Sequence, residues 1–226
     1  QFCNLSEVVV REGDTQATIK DKIKFATILG TMQSTLTDFK YLGAEWKKNC
    51  EEERLLGVSL TGIMDNELTA YPTPDMLEDF KKVAVKTNEE WAKKLNINPS
   101  SAITCVKPSG TVSQLCNSAS GIHARHSEYY IRRVRMDGKD PLCKFMEAKG
   151  FPCEVDVMNN SNMVFSFPMQ SPSKSIMRND MLAIEQLETW KMYAEHWCEH
   201  KPSVTISVRE EEWVDVGAWV YEHFDS

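Results

Sequence analysis

The segment SAITCVKPSGTVSQL, which begins at Ser101, constrains the fold of this chain more than any other. Its apolar first part, Ala102–Val106, predicts a buried strand. Pro108 fixes its own φ angle and disfavours helical backbone at Lys107, so the strand must end there. A helix is predicted from Thr111 onward. A strand, a tight turn and a helix in this order are typical of an α/β fold.

The turn in this segment also predicts a place to hold phosphate. Hydroxyl groups stand beside the free N–H groups of a new helix, and such a helix start attracts anions. Gly110 permits a positive φ or a close approach of the backbone to a ligand. The side chain of Lys107 adds a positive charge beside the turn. The predicted phosphate-binding residues are Lys107, Pro108, Ser109, Gly110, Thr111 and Ser113.

Two simpler interpretations fit the same residues. A serine or threonine before a helix often serves only as its cap. A strand, a glycine-containing turn and a helix also describe an ordinary α/β connection. The segment is not a Walker A loop, because Lys107 precedes the glycine and no Gly-Lys-Ser/Thr follows it.

Helix-length and strand-length segments alternate through the first half of the chain, which predicts an α/β sheet or barrel. The second half is less regular. The predicted strands are Phe2–Val10, Leu56–Met64, Ala102–Val106, Tyr129–Met136, Cys153–Val157, Asn162–Pro168 and Ser203–Val208. The predicted helices are Gln16–Asp38, Ala44–Leu55, Pro74–Leu95, Pro141–Lys149, Asp180–His200, Glu212–His223 and a short one from Thr111.

Composition limits the classes of function. The 226 residues carry a net charge of −7, which argues against a broad nucleic-acid-binding face. No apolar span is long enough for a membrane helix and no signal peptide is visible, so we expect a cytoplasmic protein without membrane contact. The chain starts without Met on what reads as the middle of a strand. We therefore expect a piece of a larger polypeptide that forms one partial domain over residues 1–226.

The seven cysteines include no CxxC pair, and their number is odd. Neither a disulfide framework nor a structural zinc site is indicated, and no metal site is predicted. Cys105 and Cys116 are predicted core residues, since free cysteine behaves as a small hydrophobe. Cys3 is followed by polar residues, so it is either a buried strand cysteine or a redox thiol.

Two stretches together resemble one family. CNLSEVVV, from Cys3, and KPSGTVSQL, from Lys107, are similar to the catalytic subunit of ribonucleotide reductases, most of all to the adenosylcobalamin-dependent class. Supporting pieces are GVSLTGIMD from Gly57, GIHAR from Gly121 and YIRRVR from Tyr130. The order and spacing of these pieces carry the resemblance.

The resemblance implies a fold and a set of roles. The fold would be the second half of a ten-stranded α/β barrel that surrounds a cysteine able to become a thiyl radical. Cys3 would be one of two thiols that reduce the substrate and end as a disulfide. The segment Pro108–Thr111 would hold the phosphates of a ribonucleoside di- or triphosphate. Asn4 and His123 are candidates for positioning the substrate, although a histidine in such a loop is more often structural or merely exposed.

The resemblance also implies partners and a missing part. The motif Asn-Pro-Cys-Gly-Glu that carries the radical cysteine is absent, as is the first half of the barrel. We therefore expect this chain to be inactive alone and to need that N-terminal half, adenosylcobalamin and a thioredoxin-type reductant. Exposed sheet edges would favour homo-oligomers. The alternative is a non-catalytic nucleotide- or phosphate-binding module, or a partner subunit without chemistry of its own.

Overall fold

The computed structural model describes residues 2–225, which form two compact units. The first unit comprises residues up to 125 and from 174 onward, and the second comprises residues 126–173. The helices are α1 (Gln16–Gln33), α2 (Ala44–Glu53), α3 (Glu67–Ala70), α4 (Pro74–Leu95), α5 (Val112–Leu115), α6 (Pro141–Ala148), α7 (Ala183–His196) and α8 (Trp213–Glu222).

A parallel sheet lies at the centre of the first unit. Its strands are β1 (Asn4–Val9), β2 (Leu56–Thr61) and β3 (Thr104–Cys105), in the order β1-β2-β3. In the register, Leu5 pairs with Gly57 and Ser59 pairs with Cys105. Parallel neighbours joined through helices make this an α/β unit, as the sequence predicts.

One face of this sheet is covered by helices. Leu56, Val58 and Leu60 of β2 are fully buried, as are Ile19 and Ile23 of α1. The helix α4 adds Leu77 and Phe80 to the same core. Each such side chain contributes about 1.5–3 kcal/mol through burial. Because side chains alternate along a strand, the intervening residues point to the opposite face of the sheet.

The second unit is an antiparallel sheet with one helix. Its strands are β4 (Tyr129–Asp137), β5 (Cys153–Val155) and β6 (Asn162–Gln170), in the order β4-β6-β5. The register runs from Tyr129 opposite Gln170 to Asp137 opposite Asn162.

Two expectations from the sequence, that the chain forms half of a ten-stranded barrel and that it forms a single partial domain, stay predictions. No helix within residues 2–225 is both long and apolar enough to cross a membrane.

Several predicted elements are shorter than their sequence patterns suggest, and for two of them the hydrogen bonds show why. The helix α1 ends at Gln33 instead of Asp38, because the hydroxyls of Ser34 and Thr35 donate to the carbonyls of Thr31 and Met32 at 2.7 Å each. The predicted strand Ala102–Val106 is reduced to β3, since the Glu199 carboxylate takes the N–H of Ile103 at 2.7 Å.

The predicted strand Ser203–Val208 does not form a strand. Among the described backbone N–H groups of residues 203–208, only that of Ser203 donates to the backbone next to β3, at the carbonyl of Val106. The N–H of Thr205 donates to His123 Nε2 at 2.9 Å, and that of Ser207 donates to Gln186 Oε1 at 3.3 Å. Two backbone N–H groups that would have to pair with a neighbouring strand therefore donate to side chains instead.

Candidate functional site

The face of the parallel sheet opposite the helices carries the candidate site. Alternation on β1 places Cys3, Leu5 and Glu7 on this face, and the pairing of Leu5 with Gly57 extends it to β2. The sulfur of Cys3 would lie 2.8 Å from a Cβ at residue 57, and the sulfur of Cys105 would lie 3.3 Å from it. Both thiols therefore approach Gly57, whose missing side chain leaves room for them and for the Cδ2 atom of Leu5.

Burial sets the state of these thiols. It raises the pKa of the half-buried Cys3, and the positive charge of Lys107 offsets this only in part. Burial also raises the pKa of Cys105 to about 12. Cys3 is therefore a neutral thiol at pH 7, able to supply a proton together with its electrons, whereas Cys105 is closed off from solvent.

The predicted phosphate-binding turn follows β3 and lines an open groove of about 580 Å³. The N–H of Lys107 donates to Ser59 Oγ at 2.9 Å, which fixes the start of the turn to β2. We call this the phosphate groove, after the prediction from the sequence, which stays a prediction here. Its lining residues are Leu5, Ser6, Glu7, Ser59, Lys107, Pro108, Ser109, Thr111 and Val112.

The backbone of the turn differs from the prediction at one position. Ser109, not Gly110, takes the positive φ, at 53°. A Cβ at Gly110 would meet no atom within 4 Å. Gly110 therefore leaves the turn open to solvent rather than providing a left-handed backbone. Within the described part of the chain, no acceptor bonds the N–H groups of Gly110 and Thr111.

The helix after the turn is a single turn long, Val112–Leu115, so it supplies fewer aligned donors than predicted. Ser113 is fully buried. Its hydroxyl donates to the carbonyl of Ser109 and contacts Ser120 Oγ at 2.6 Å. The structure thus places Ser113 beneath the turn, where it holds the shape of the turn.

Gly121 supports the turn from below. Its φ is +52°, and a Cβ there would stand 2.4 Å from the carbonyl oxygen of Lys107. Its N–H donates to Thr61 Oγ1 at 2.8 Å, and the same hydroxyl donates to the carbonyl of Ala119 at 3.0 Å. Only glycine allows so close a contact between this loop and the phosphate groove.

A buried ion pair fixes the other end of that loop. Arg125 donates from Nε and Nη2 to the two carboxylate oxygens of Asp65, both at 2.8 Å. Asp65 also accepts from the N–H of Ala119 at 2.7 Å and from Ser175 Oγ at 2.6 Å. Both charged side chains are almost fully buried, so removing either one would leave the charge of the other buried without a counter-ion.

Asn4 and His123, the predicted positioning residues, lie outside the phosphate groove. Asn4 Nδ2 donates to the carbonyl of Leu55 at 2.9 Å, and Asn4 shares a separate groove of about 350 Å³ with Cys3. His123 Nδ1 donates to the carbonyl of Ser120 at 2.8 Å while Nε2 accepts from Thr205. These contacts favour the structural interpretation of His123.

Sequence reasoning missed three residues that shape the site. Glu7 was an unremarked strand position, although its alternation with Cys3 and Leu5 places it on the open face. Gly57 lay inside the predicted strand Leu56–Met64, and Asp65 lay at the end of a segment that carries the family resemblance, but neither residue was assigned a role. The buried charge of Asp65 carried no signal in the sequence, since its partner is 60 residues away.

Comparison with known proteins gives a consistent result. No model of a known protein family matches the chain. An adenosylcobalamin-dependent ribonucleoside-triphosphate reductase from Lactobacillus acidophilus is 26% identical over 93% of this chain and 32% of the relative. The protein of that name from Lacticaseibacillus paracasei is 31% identical over 57% of this chain and 18% of the relative.

A solved structure supports the same comparison at the level of the fold. The crystal structure of a B12-dependent (class II) ribonucleotide reductase aligns with 96% of this chain at a TM-score of 0.77 and 22% identity. The alignment covers 34% of that structure, and the chain spans about a third of the length of the curated relatives it matches. The resemblance predicted from the sequence motifs is confirmed, and so is an α/β fold.

Proposed function

We propose that this chain is part of an adenosylcobalamin-dependent ribonucleotide reductase and supplies its phosphate groove and one reducing thiol. The observation that carries the proposal is the common face of Cys3 and the phosphate groove. Leu5 lies between them on β1, with its Cδ2 over Gly57. A nucleotide whose phosphates lie at residues 107–111 would then extend its ribose along β1 toward the sulfur of Cys3.

The groove supplies neutral and positive donors to an anion. The N–H groups of Gly110 and Thr111 and the hydroxyls of Ser109 and Thr111 are the short-range donors, and Lys107 contributes its charge. The substrate would be a ribonucleoside di- or triphosphate. Cys3 and a second thiol would together supply two electrons and two protons. The C–O bond of the 2′-hydroxyl would break, the hydroxyl would leave as water, a C–H bond would take its place, and the two sulfurs would join as a disulfide. A thioredoxin-type dithiol would restore them.

The cofactor belongs to another part of the proposed enzyme. Adenosylcobalamin supplies a carbon-centred radical when it is bound. The groove of about 580 Å³ is lined partly by the turn after β3, and the groove of about 350 Å³ beside Cys3 is lined by both polar and apolar side chains. Neither groove therefore offers the broad apolar surface that a corrin ring needs. We therefore assign no step of the cofactor to this chain. The missing half of the barrel would bind it and would provide the radical cysteine.

Turnover tests the role of Cys3. The chain would be combined with an upstream segment that ends in Asn-Pro-Cys-Gly-Glu, and given adenosylcobalamin, a dithiol and a ribonucleoside triphosphate. We expect Cys3→Ser to lower deoxynucleotide formation by roughly three orders of magnitude or more, because the hydroxyl cannot form the disulfide.

The matched control is Cys50→Ser, which changes a thiol in the same groove as Cys3 that the chemistry does not use. The turnover rate of this variant should stay within about twofold of wild type, because replacing a partly exposed cysteine by serine costs little stability. Unchanged turnover in Cys3→Ser would remove Cys3 from the mechanism. Nucleotide binding without any turnover of the combined protein would favour the non-catalytic binding module.

A further inference from the structure

A carboxylate lies inside the groove that is proposed to bind an anion. Glu7 lines the phosphate groove together with Lys107 and Ser109, on the open face of the sheet. Its side chain is half-buried and lies in the same groove as the hydroxyl of Ser109. That hydroxyl is one of the donors that a bound phosphate would need. Glu7 therefore faces the same donor groups as a phosphate bound in the groove would.

A polyphosphate beside an ionised Glu7 would experience direct repulsion. Two like charges that lie close together in a partly buried site repel each other more strongly than they would in bulk water, where solvent screens them. A neutral carboxyl group avoids this cost, and its O–H can donate to a phosphate oxygen. The chemistry of the groove thus favours protonation of Glu7 when an anion enters.

Among the described residues that line the phosphate groove, Glu7 carries the one carboxyl group. Ser59 and Lys107 line the groove with it, and the thiols of Cys3 and Cys105 lie on the same face. Both thiols have a raised pKa and stay neutral below pH 8. Desolvation already raises the pKa of Glu7, and the nearby hydroxyl of Ser109 offsets this only in part.

We propose that Glu7 couples nucleotide binding in the phosphate groove to the uptake of one proton by its own carboxyl group. This rests on the proposed function of the groove and adds a specificity-determining residue to it. The sign follows from the charges. A bound anion raises the pKa of Glu7 further, so affinity is highest below the pKa of the free protein and falls as pH rises toward that of the complex.

Glu7→Gln isolates this effect, because glutamine has the same shape but carries no charge. Binding of a ribonucleoside triphosphate to the chain would be measured by titration calorimetry in EDTA, from pH 5 to 8. At each pH, two buffers of different ionisation enthalpy would give the number of protons taken up. Comparison of the two proteins cancels the titration of the nucleotide itself.

We expect the wild-type chain to take up more protons than Glu7→Gln. The variant should bind about tenfold more tightly at pH 8, which corresponds to about one pKa unit, and the difference should vanish toward pH 5. Glu90→Gln, on the exposed surface of α4, is the control and should behave as wild type.

Equal proton uptake by the two proteins, with equal affinity at pH 8, would overturn the inference while leaving the phosphate groove intact. Weaker binding by Glu7→Gln at pH 8 would also overturn it, since Glu7 would then help binding in its charged form. An absence of binding by every variant at every pH would instead contradict the phosphate groove itself, and the role of Glu7 with it.

Discussion

Gly121→Ala is expected to destabilise the chain by about 2–4 kcal/mol and to disrupt the phosphate groove. Alanine at a positive φ costs about 1–3 kcal/mol, and its Cβ would stand 2.4 Å from the carbonyl oxygen of Lys107. The loop and the turn at residues 107–111 must then separate. Urea unfolding of the two proteins measures the stability, and titration with a ribonucleoside triphosphate measures the groove.

Gly13→Ala is the matched control for this substitution. Gly13 lies in a turn where a Cβ meets no atom within 4 Å and φ is not positive. We expect its free energy of unfolding to stay within about 0.5 kcal/mol of wild type. If Gly121→Ala were as stable as this control and bound nucleotide normally, the close contact between residue 121 and the phosphate groove would be wrong.

Asp65→Ala is expected to cost about 3–5 kcal/mol, because it leaves the guanidinium of Arg125 buried without its counter-ion. It also removes the acceptor of the Ala119 N–H and of the Ser175 hydroxyl. The loop that supports the turn at residues 107–111 would lose its fixed end. The measurement is again the free energy of unfolding in urea.

A double-mutant cycle separates the ion pair from general damage at this position. Asp65→Ala combined with Arg125→Met removes both charges, so the double variant should be clearly more stable than the sum of the two single losses predicts. Additive losses would show that the two side chains do not depend on each other. A loss below about 1 kcal/mol for Asp65→Ala alone would contradict the buried pair.

Local patterns in the sequence predict much of the fold. Thr73 and Pro74 signal the start of α4, and the structure has Thr73 as the cap with Pro74 at the first helical position. The apolar spacing of Ile19 and Ile23 identifies the buried side of α1. These patterns depend on neighbours in the chain, so one sequence is enough to interpret them.

The parts that the sequence does not reveal depend on distant contacts. The predicted strand Ser203–Val208 has strong β propensity, but its donors are taken by His123 and Gln186. A turn follows β3 as the sequence predicts, yet the positive φ lies at Ser109 rather than at Gly110. The contacts of Ser59 and Gly121 with Lys107 help to hold that backbone, and no local signal in the sequence gives those contacts.

Binding to the backbone amides of the turn tests the central claim most directly. The amide resonances of the isotope-labelled chain would be followed by NMR while a ribonucleoside triphosphate is added. We expect the largest shifts at Ser109, Gly110 and Thr111, whose N–H groups would donate to the phosphates. Unchanged resonances at these three residues at saturating nucleotide, or shifts confined to another surface, would contradict the account.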